Sequence, residues 1–195
     1  SLEFNSARHD VNQMISSVTS SIVKELKEAY PQVVFNSPDK LYEALDDVFS
    51  VSKVPFVFII DEWDRIMREK KEDAQSLKLY LEWLEGIFKD QSYIALAYMT
   101  GILPIKKYGN QSALNMFNEP SMTDPDNFAP FIGFTEREVQ SLCNEFKMNF
   151  NQMQQWYDGY SFTDVPHIYN PNSVVKSISR KRLEVTGPKQ KPLKA

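Results

Sequence analysis

Two continuous runs of apolar residues constrain the fold of this chain more than any other feature of its sequence. They are VPFVFII at 54–60 and YIALAYM at 93–99. Their length suits strands better than helices, and both contain β-branched or aromatic residues. Because the first run does not alternate apolar with polar residues, we expect a strand that is buried on both faces, as in a parallel sheet.

Amphipathic segments surround and separate these two runs. Apolar residues recur at three- and four-residue intervals, which indicates helices that bury one face. We predict helices at about 10–30, from 37–38 onward, at 72–88, at 113–117, from 135 onward and at 151–157, and a further short strand at 131–134. Thr135 and Glu138 form a capping box at the start of one helix. Buried strands that alternate with helices predict an α/β fold with a parallel sheet.

Polar residues follow both strands directly. Asp61, Glu62 and Asp64 come after the first strand, and Thr100 comes after the second. Ligands of open α/β sheets bind at the carboxyl ends of the strands. There Asp61 could hold a hydrated Mg²⁺, and Glu62 could orient or deprotonate a water molecule. The alternative interpretation is structural, with an acid that caps the next helix and Thr100 in a turn.

Composition excludes several classes of protein. The run at 54–60 is far shorter than the roughly 20 residues that cross a bilayer, and residues 1–10 do not resemble a signal peptide. A single cysteine, Cys143, excludes an internal disulfide framework and a cysteine-based zinc cluster. We therefore expect a cytoplasmic protein with no membrane association. The net charge of −4 does not favour nucleic-acid binding in general, and whether the protein binds nucleic acid stays open.

Glycine is scarce in this sequence. The six glycines lie at 86, 101, 109, 133, 159 and 187, and none has the spacing G-x-x-x-x-G-K-[ST] or G-x-G-x-x-G. Such loops cradle phosphates with their backbone N–H groups. Any nucleotide chemistry of this chain would therefore take place without a phosphate loop of its own.

Five segments together resemble a known family. They are IIDEWD at 59–64, MTGILPI at 99–105, FTEREV at 134–139, WYDGYSF at 156–162 and IYNPNSV at 168–174. The first is also the Walker B pattern of P-loop ATPases. In this order they resemble the bacterial AAA-ATPase-like family, which is related to the archaeal-type and STAND P-loop ATPases. The resemblance covers roughly residues 54–177.

The resemblance implies an ATPase core of the additional-strand class, with ATP and Mg²⁺ as cofactors. In the complete protein Asp61 would hold Mg²⁺, Glu62 would activate the attacking water, and Thr100 would sense the γ-phosphate; all three would contact the nucleotide. The implied organisation is an incomplete parallel-sheet P-loop NTPase-like core at 1–134, a small helical lobe at 135–179 and a basic, disordered tail at 180–195.

The chain departs from the family pattern at its start, where no Walker A loop is found. We expect a fragment that begins just downstream of that loop, with 2–5 as the remnant of a core strand, and no ATP hydrolysis by the chain itself. A second hypothesis is a non-catalytic protein-interaction module with an ATPase-like fold, acting through a protein partner or an oligomer. A third is a metal-dependent phosphoesterase that uses Asp61, Glu62 and Asp64.

Overall fold

The computed structural model describes residues 10–105, 114–162 and 164–184. The chain forms two compact units, of which the first runs to Glu119 and the second begins at Pro120. The sequence-based boundary at 134/135 lies inside the second unit. The predicted strand remnant at 2–5, and residues 185–195 of the predicted tail at 180–195, lie outside the described residues. The prediction of disorder is wrong for the start of that tail, because Arg180 ends a helix and the Glu184 carbonyl accepts a hydrogen bond from the Tyr157 hydroxyl. The expected mixed α/β class is confirmed, with a parallel sheet in one unit and an antiparallel sheet in the other.

The helices of the first unit follow from local sequence signals. They are α1 (Val11–Ala29), α2 (Leu41–Ser52), α3 (Arg65–Glu69) and α4 (Ala74–Phe88). Helix α4 begins after Asp73, whose carboxylate accepts the Ser76 N–H at 3.0 Å as an N-cap. The predicted start of α2 at 37–38 is wrong. There the chain makes a turn, closed by a 3.0 Å bond from the Lys40 N–H to the Ser37 carbonyl, before the helix begins.

The two apolar runs form neighbouring parallel strands, as the sequence predicts. Strand β1 (Phe56–Ile60) pairs with β2 (Ile94–Met99), and the chain passes through α3 and α4 between them. In this register Ile60 lies opposite Met99. The last residues of the two strands therefore end side by side, and the residues that follow them meet at one edge of the sheet.

One face of this sheet forms part of the core of the first unit. Phe56, Phe58 and Ile60 of β1 pack against the buried side chains of the helices. The rings of Phe58 and Phe88 meet edge to face with their centroids 5.3 Å apart, and Phe58 also lies beside Tyr93. Aromatic pairs of this kind add to the stability that burial of their area provides.

The opposite face of the sheet is exposed. Val57 and Ile59 of β1 are 60% and 76% exposed, and their cross-strand partners Leu96 and Tyr98 are exposed as well. The expectation of two buried faces is therefore wrong for the described part of the chain. The reason is that the described core packs against alternate residues of β1 and against Ile94, Ala97 and Met99 of β2, so the sheet is covered on one side only.

The second unit combines helices with a small antiparallel sheet, and is not purely helical as the sequence suggested. Its elements are a 3₁₀ helix (Asp126–Phe131), β3 (Phe134–Thr135), α5 (Glu136–Phe146), α6 (Phe150–Tyr157), β4 (Asp158–Tyr160), β5 (Ile168–Tyr169) and α7 (Pro171–Arg180). The strand order is β3-β5-β4. The predicted capping box is confirmed, with Thr135 and Glu138 bonded reciprocally at the start of α5.

Polar side chains tie the second unit together at two places. The Tyr157 hydroxyl donates to the Glu184 carbonyl at 2.7 Å and accepts a hydrogen bond from Ser177 Oγ at 2.7 Å. His167 Nδ1 lies 2.6 Å from Asp158 Oδ2. This hydrogen bond to a carboxylate raises the pKa of His167 above its ordinary value. Asp158, of the WYDGYSF segment, thus links β4 to the start of β5.

Within the described residues, no helix combines the length and the apolar composition that crossing a membrane requires.

Candidate functional site

The carboxyl ends of β1 and β2 bring the predicted site residues together. We call Asp61, Glu62 and Thr100 the strand-end cluster. The Thr100 N–H donates to the Ile60 carbonyl at 2.9 Å, and the Thr100 carbonyl accepts the Trp63 N–H at 3.0 Å. The parallel pairing thus continues past the last residues of the strands and holds Thr100 beside the acidic turn.

Thr100 contacts the side chain of Asp61 and the backbone of Glu62. Its hydroxyl donates to the Asp61 carboxylate, and the Glu62 N–H donates to Thr100 Oγ1 at 3.3 Å. All three groups lie at the exposed edge of the sheet. A carboxylate and a hydroxyl in contact form an all-oxygen donor set, which suits a hard cation that keeps several of its water ligands. In ligand type this pair suits Mg²⁺, but it supplies only two protein ligands, and the remaining ligands would have to be water or phosphate.

Glu62 has a strained backbone. Its φ angle is 53°, in the left-handed region that residues with a Cβ rarely adopt. Its side chain is half-exposed, and Oε1 lies 3.5 Å from Arg68 Nη2. Strain of this kind is concentrated at functional sites, where the surrounding structure holds it in place. Five other described residues with a Cβ also have a positive φ, so this angle by itself assigns no function to Glu62.

Replacing Glu62 with glycine is expected to raise the free energy of unfolding by up to about 1 kcal/mol relative to Glu62→Ala, because glycine adopts a positive φ without steric cost. Both variants lose the contact with Arg68, so the comparison isolates the backbone term. Urea unfolding measures the difference. A Glu62→Gly variant less stable than Glu62→Ala by about 0.5–1 kcal/mol would show that the turn is not strained, because only the larger entropy loss of glycine would then remain.

Asp64 does not join the strand-end cluster, so the third hypothesis loses one of its three ligands. The Asp64 carboxylate is fully buried, and Oδ2 accepts the N–H groups of Ile102 and Leu103 at 3.1 and 2.9 Å. Arg68 Nε lies 3.2 Å from the same oxygen. In the part of the chain that the structure describes, no three His, Cys, Asp or Glu side chains form a group that could hold a metal ion.

The turn after β1 packs closely against the loop after β2. Trp63 is buried, and its backbone carbonyl accepts the Tyr80 hydroxyl at 2.8 Å. Burial raises the pKa of Tyr80 well above its ordinary value, so this hydroxyl stays protonated as a donor. The Trp63 indole lies directly against Gly101, where an added Cβ would come within 2.6 Å of Cδ1 and Nε1.

Sequence reasoning did not find these contacts between the turn after β1 and the loop after β2. The sequence pattern suggested Asp64 as a possible metal ligand and predicted no contacts for Trp63, Gly101 or Arg68. One sequence signal was present, since Asp64 and Arg68 stand four residues apart, the spacing of ion pairs along a helix. The contacts to Ile102 and Leu103 span nearly forty positions of sequence and have no local signal.

The strand-end cluster is distinct from the clefts of the first unit. A shallow cleft of about 460 Å³ lies along α1 and includes Lys24, Lys27 and Pro38 in its lining. Another, of about 320 Å³, adjoins Lys27, Tyr30 and Phe35. Neither includes Asp61, Glu62 or Thr100, and neither brings acids together. The case for a site at the strand ends therefore depends on the chemistry of its residues and not on the shape of a pocket.

Comparison of the chain with protein-family models, with curated proteins and with solved structures found no match.

Proposed function

We propose that the strand-end cluster is the Mg²⁺ and γ-phosphate side of a nucleoside-triphosphatase site, and that the chain is part of a bacterial AAA-ATPase-like protein of the P-loop class. The observation that carries this proposal is the contact between Thr100 and Asp61 at the ends of adjacent parallel strands. The resemblance to Walker B and to the following strand of additional-strand ATPases implies that these two residues lie at the same sheet edge.

Each member of the cluster has a role that its position supports. Asp61 accepts one hydrogen bond, from Thr100, at the exposed edge and would hold the hydrated Mg²⁺ through its carboxylate. Glu62 has a half-exposed carboxylate beside Arg68 and would orient or deprotonate the attacking water. Thr100 contacts the Asp61 carboxylate and the Glu62 backbone, and would detect the γ-phosphate through its hydroxyl. When bound, Mg²⁺ supplies charge neutralisation to the phosphates.

The cluster needs cationic groups from beyond itself to hold a triphosphate. Two of its three residues are acids, and Arg68 already contacts Glu62 and Asp64. No glycine spacing in the sequence matches a phosphate loop. We therefore expect weak binding of MgATP and no hydrolysis by this chain. The same glycine spacing is the observation that favours the second candidate, a non-catalytic interaction module with an ATPase-like fold.

Isothermal titration with MgATP separates the two candidates. We expect weak, saturable binding that Asp61→Asn weakens at least about tenfold, because a neutral amide is a poorer Mg²⁺ ligand than a carboxylate. Removal of Mg²⁺ with EDTA should have a similar effect. The matched control is Asp39→Asn, which neutralises an exposed acid in the turn before α2 and should bind like the wild type.

Two results would contradict the proposal. Absence of binding by the wild-type chain would favour the interaction module. Binding that Asp61→Asn and Asp39→Asn leave equally strong would place the nucleotide away from the strand ends.

A further inference from the structure

We propose that Asp64 is a positioning residue, which anchors the loop after β2 to the turn after β1 and thereby sets the distance between Thr100 and Asp61. Its importance for nucleotide binding rests on the proposed function, whereas the anchoring itself does not. The residue lies three positions after Asp61 and has the same side chain, yet the structure gives it the opposite environment.

The Asp64 carboxylate makes all of its contacts inside the protein. Its side chain is fully buried, and Oδ2 accepts two successive backbone N–H groups, those of Ile102 and Leu103. Oδ1 faces Gly101, 2.9 Å from where a Cβ would stand. A buried carboxylate that accepts backbone N–H groups makes charge-assisted bonds, which are about twice as strong as neutral ones. These two bonds therefore join the turn to the loop through a buried carboxylate, in addition to the Thr100–Asp61 contact at the exposed edge.

The two segments that Asp64 joins also carry the strand-end cluster. On one side the turn contains Asp61 and Glu62, and on the other side Thr100 directly precedes the anchored loop. A second link runs the other way, from the Trp63 N–H to the Thr100 carbonyl at 3.0 Å. Thr100 is thus held between its strand and the Asp64 anchor, and its hydroxyl meets the Asp61 carboxylate as a result.

Arg68 extends the influence of Asp64 to the second acid of the cluster. Its Nε lies 3.2 Å from Asp64 Oδ2, and its Nη2 lies 3.5 Å from Glu62 Oε1. Arg68 Nε and Nη2 are buried and have no aligned hydrogen-bond acceptor among the described residues. The Arg68 guanidinium is therefore held by electrostatic attraction, to the buried Asp64 carboxylate on one side and to the exposed Glu62 carboxylate on the other. Loss of the Asp64 charge would leave Arg68 free to reorient and Glu62 without a fixed partner.

Amide hydrogen exchange measured by NMR tests the anchor through Asp64→Asn, which keeps the shape of the side chain and removes its charge. We expect exchange to accelerate at least about tenfold at Ile102 and Leu103, and also at Trp63, whose N–H bonds to Thr100 and not to Asp64. The matched control is Asp73→Ala, which removes the N-cap of α4 in the same unit and leaves the anchored loop intact. This control variant should accelerate amide exchange without a selective effect on Ile102, Leu103 and Trp63.

Two exchange patterns would overturn the proposal. One is uniform acceleration throughout the first unit in Asp64→Asn, as in the control, which would mean a general loss of stability. The other is acceleration at Ile102 and Leu103 with Trp63 unchanged, which would mean that Asp64 does not hold the two segments in register. If Asp64→Asn does not fold, through-hydrogen-bond coupling in the wild-type chain decides: coupling from the Ile102 and Leu103 N–H groups to the Asp64 carboxyl carbon supports the anchor, and its absence overturns it.

Titration with MgATP distinguishes failure of this inference from failure of the proposed function. If both hold, Asp64→Asn weakens binding of MgATP about tenfold and Asp73→Ala leaves it unchanged. If only the proposed function fails, no form of the chain binds MgATP and the selective exchange pattern persists. Equal affinities of the wild type and Asp64→Asn would overturn the role of Asp64 in positioning Thr100 for the ligand.

Discussion

Replacing Gly101 with alanine is expected to lower the free energy of unfolding of the first unit by about 3 kcal/mol. The added Cβ would lie 2.6 Å from Cδ1 and Nε1 of the Trp63 indole and 2.9 Å from Asp64 Oδ1. Neither neighbour can move away cheaply, because the indole is buried and rigid, and the carboxylate holds two backbone N–H groups. The turn and the loop would have to separate, which also strains the contact between Thr100 and Asp61.

Urea unfolding followed by far-UV circular dichroism measures this loss. Gly86→Ala is the matched control, because Gly86 lies inside α4 and its added Cβ would meet only the Tyr42 ring, at an ordinary contact distance of 3.4 Å. That change should be neutral or stabilise the unit by up to about 1 kcal/mol, since alanine favours a helix over glycine. A Gly101→Ala protein as stable as the wild type would show that Trp63 does not pack against this loop.

Replacing Phe58 with alanine is expected to cost about 3 kcal/mol of stability, because the ring packs against the helix core beside Phe88 and Tyr93. The neighbouring change Ile59→Ala should cost about 0.5 kcal/mol or less, because the Ile59 side chain is 76% exposed and leaves no cavity. Two adjacent residues of one apolar run are thus predicted to differ several-fold in their contribution.

The comparison of Phe58→Ala with Ile59→Ala should be made by urea unfolding at two protein concentrations. A large loss for Ile59→Ala that grows with protein concentration would show that association of chains covers the exposed face in solution. Similar losses for the two variants at every concentration would contradict the one-sided burial of the sheet.

Local features of this protein could be predicted from its sequence because their partners are near in the chain. Thr135 and Glu138 stand three residues apart, so the capping box depends only on the start of one helix. The helix α1 follows from apolar spacing within a single segment and ends before Pro31. By contrast, the start of α2 was misplaced, because Ser37 and Lys40 close a turn of their own ahead of the helix.

The sequence by itself determined the two strands, their parallel pairing and the meeting of Asp61 with Thr100. Long apolar runs identify strands, and adjacent parallel strands end at the same edge, so the residues that follow them must come together. These conclusions depend only on the spacing of apolar side chains along the sequence and on the direction in which the two strands run. They hold without knowledge of what surrounds the sheet.

Only the tertiary structure decided which acid points outward and which face of the sheet is covered. Side chains alternate along a strand, but the positive φ of Glu62 ends that alternation, and Asp64 then turns inward to Ile102 and Leu103. Likewise, an apolar residue such as Ile59 is buried only if another element packs over it. Both outcomes depend on groups far away in sequence, which burial and hydrogen bonding select only after the chain has folded.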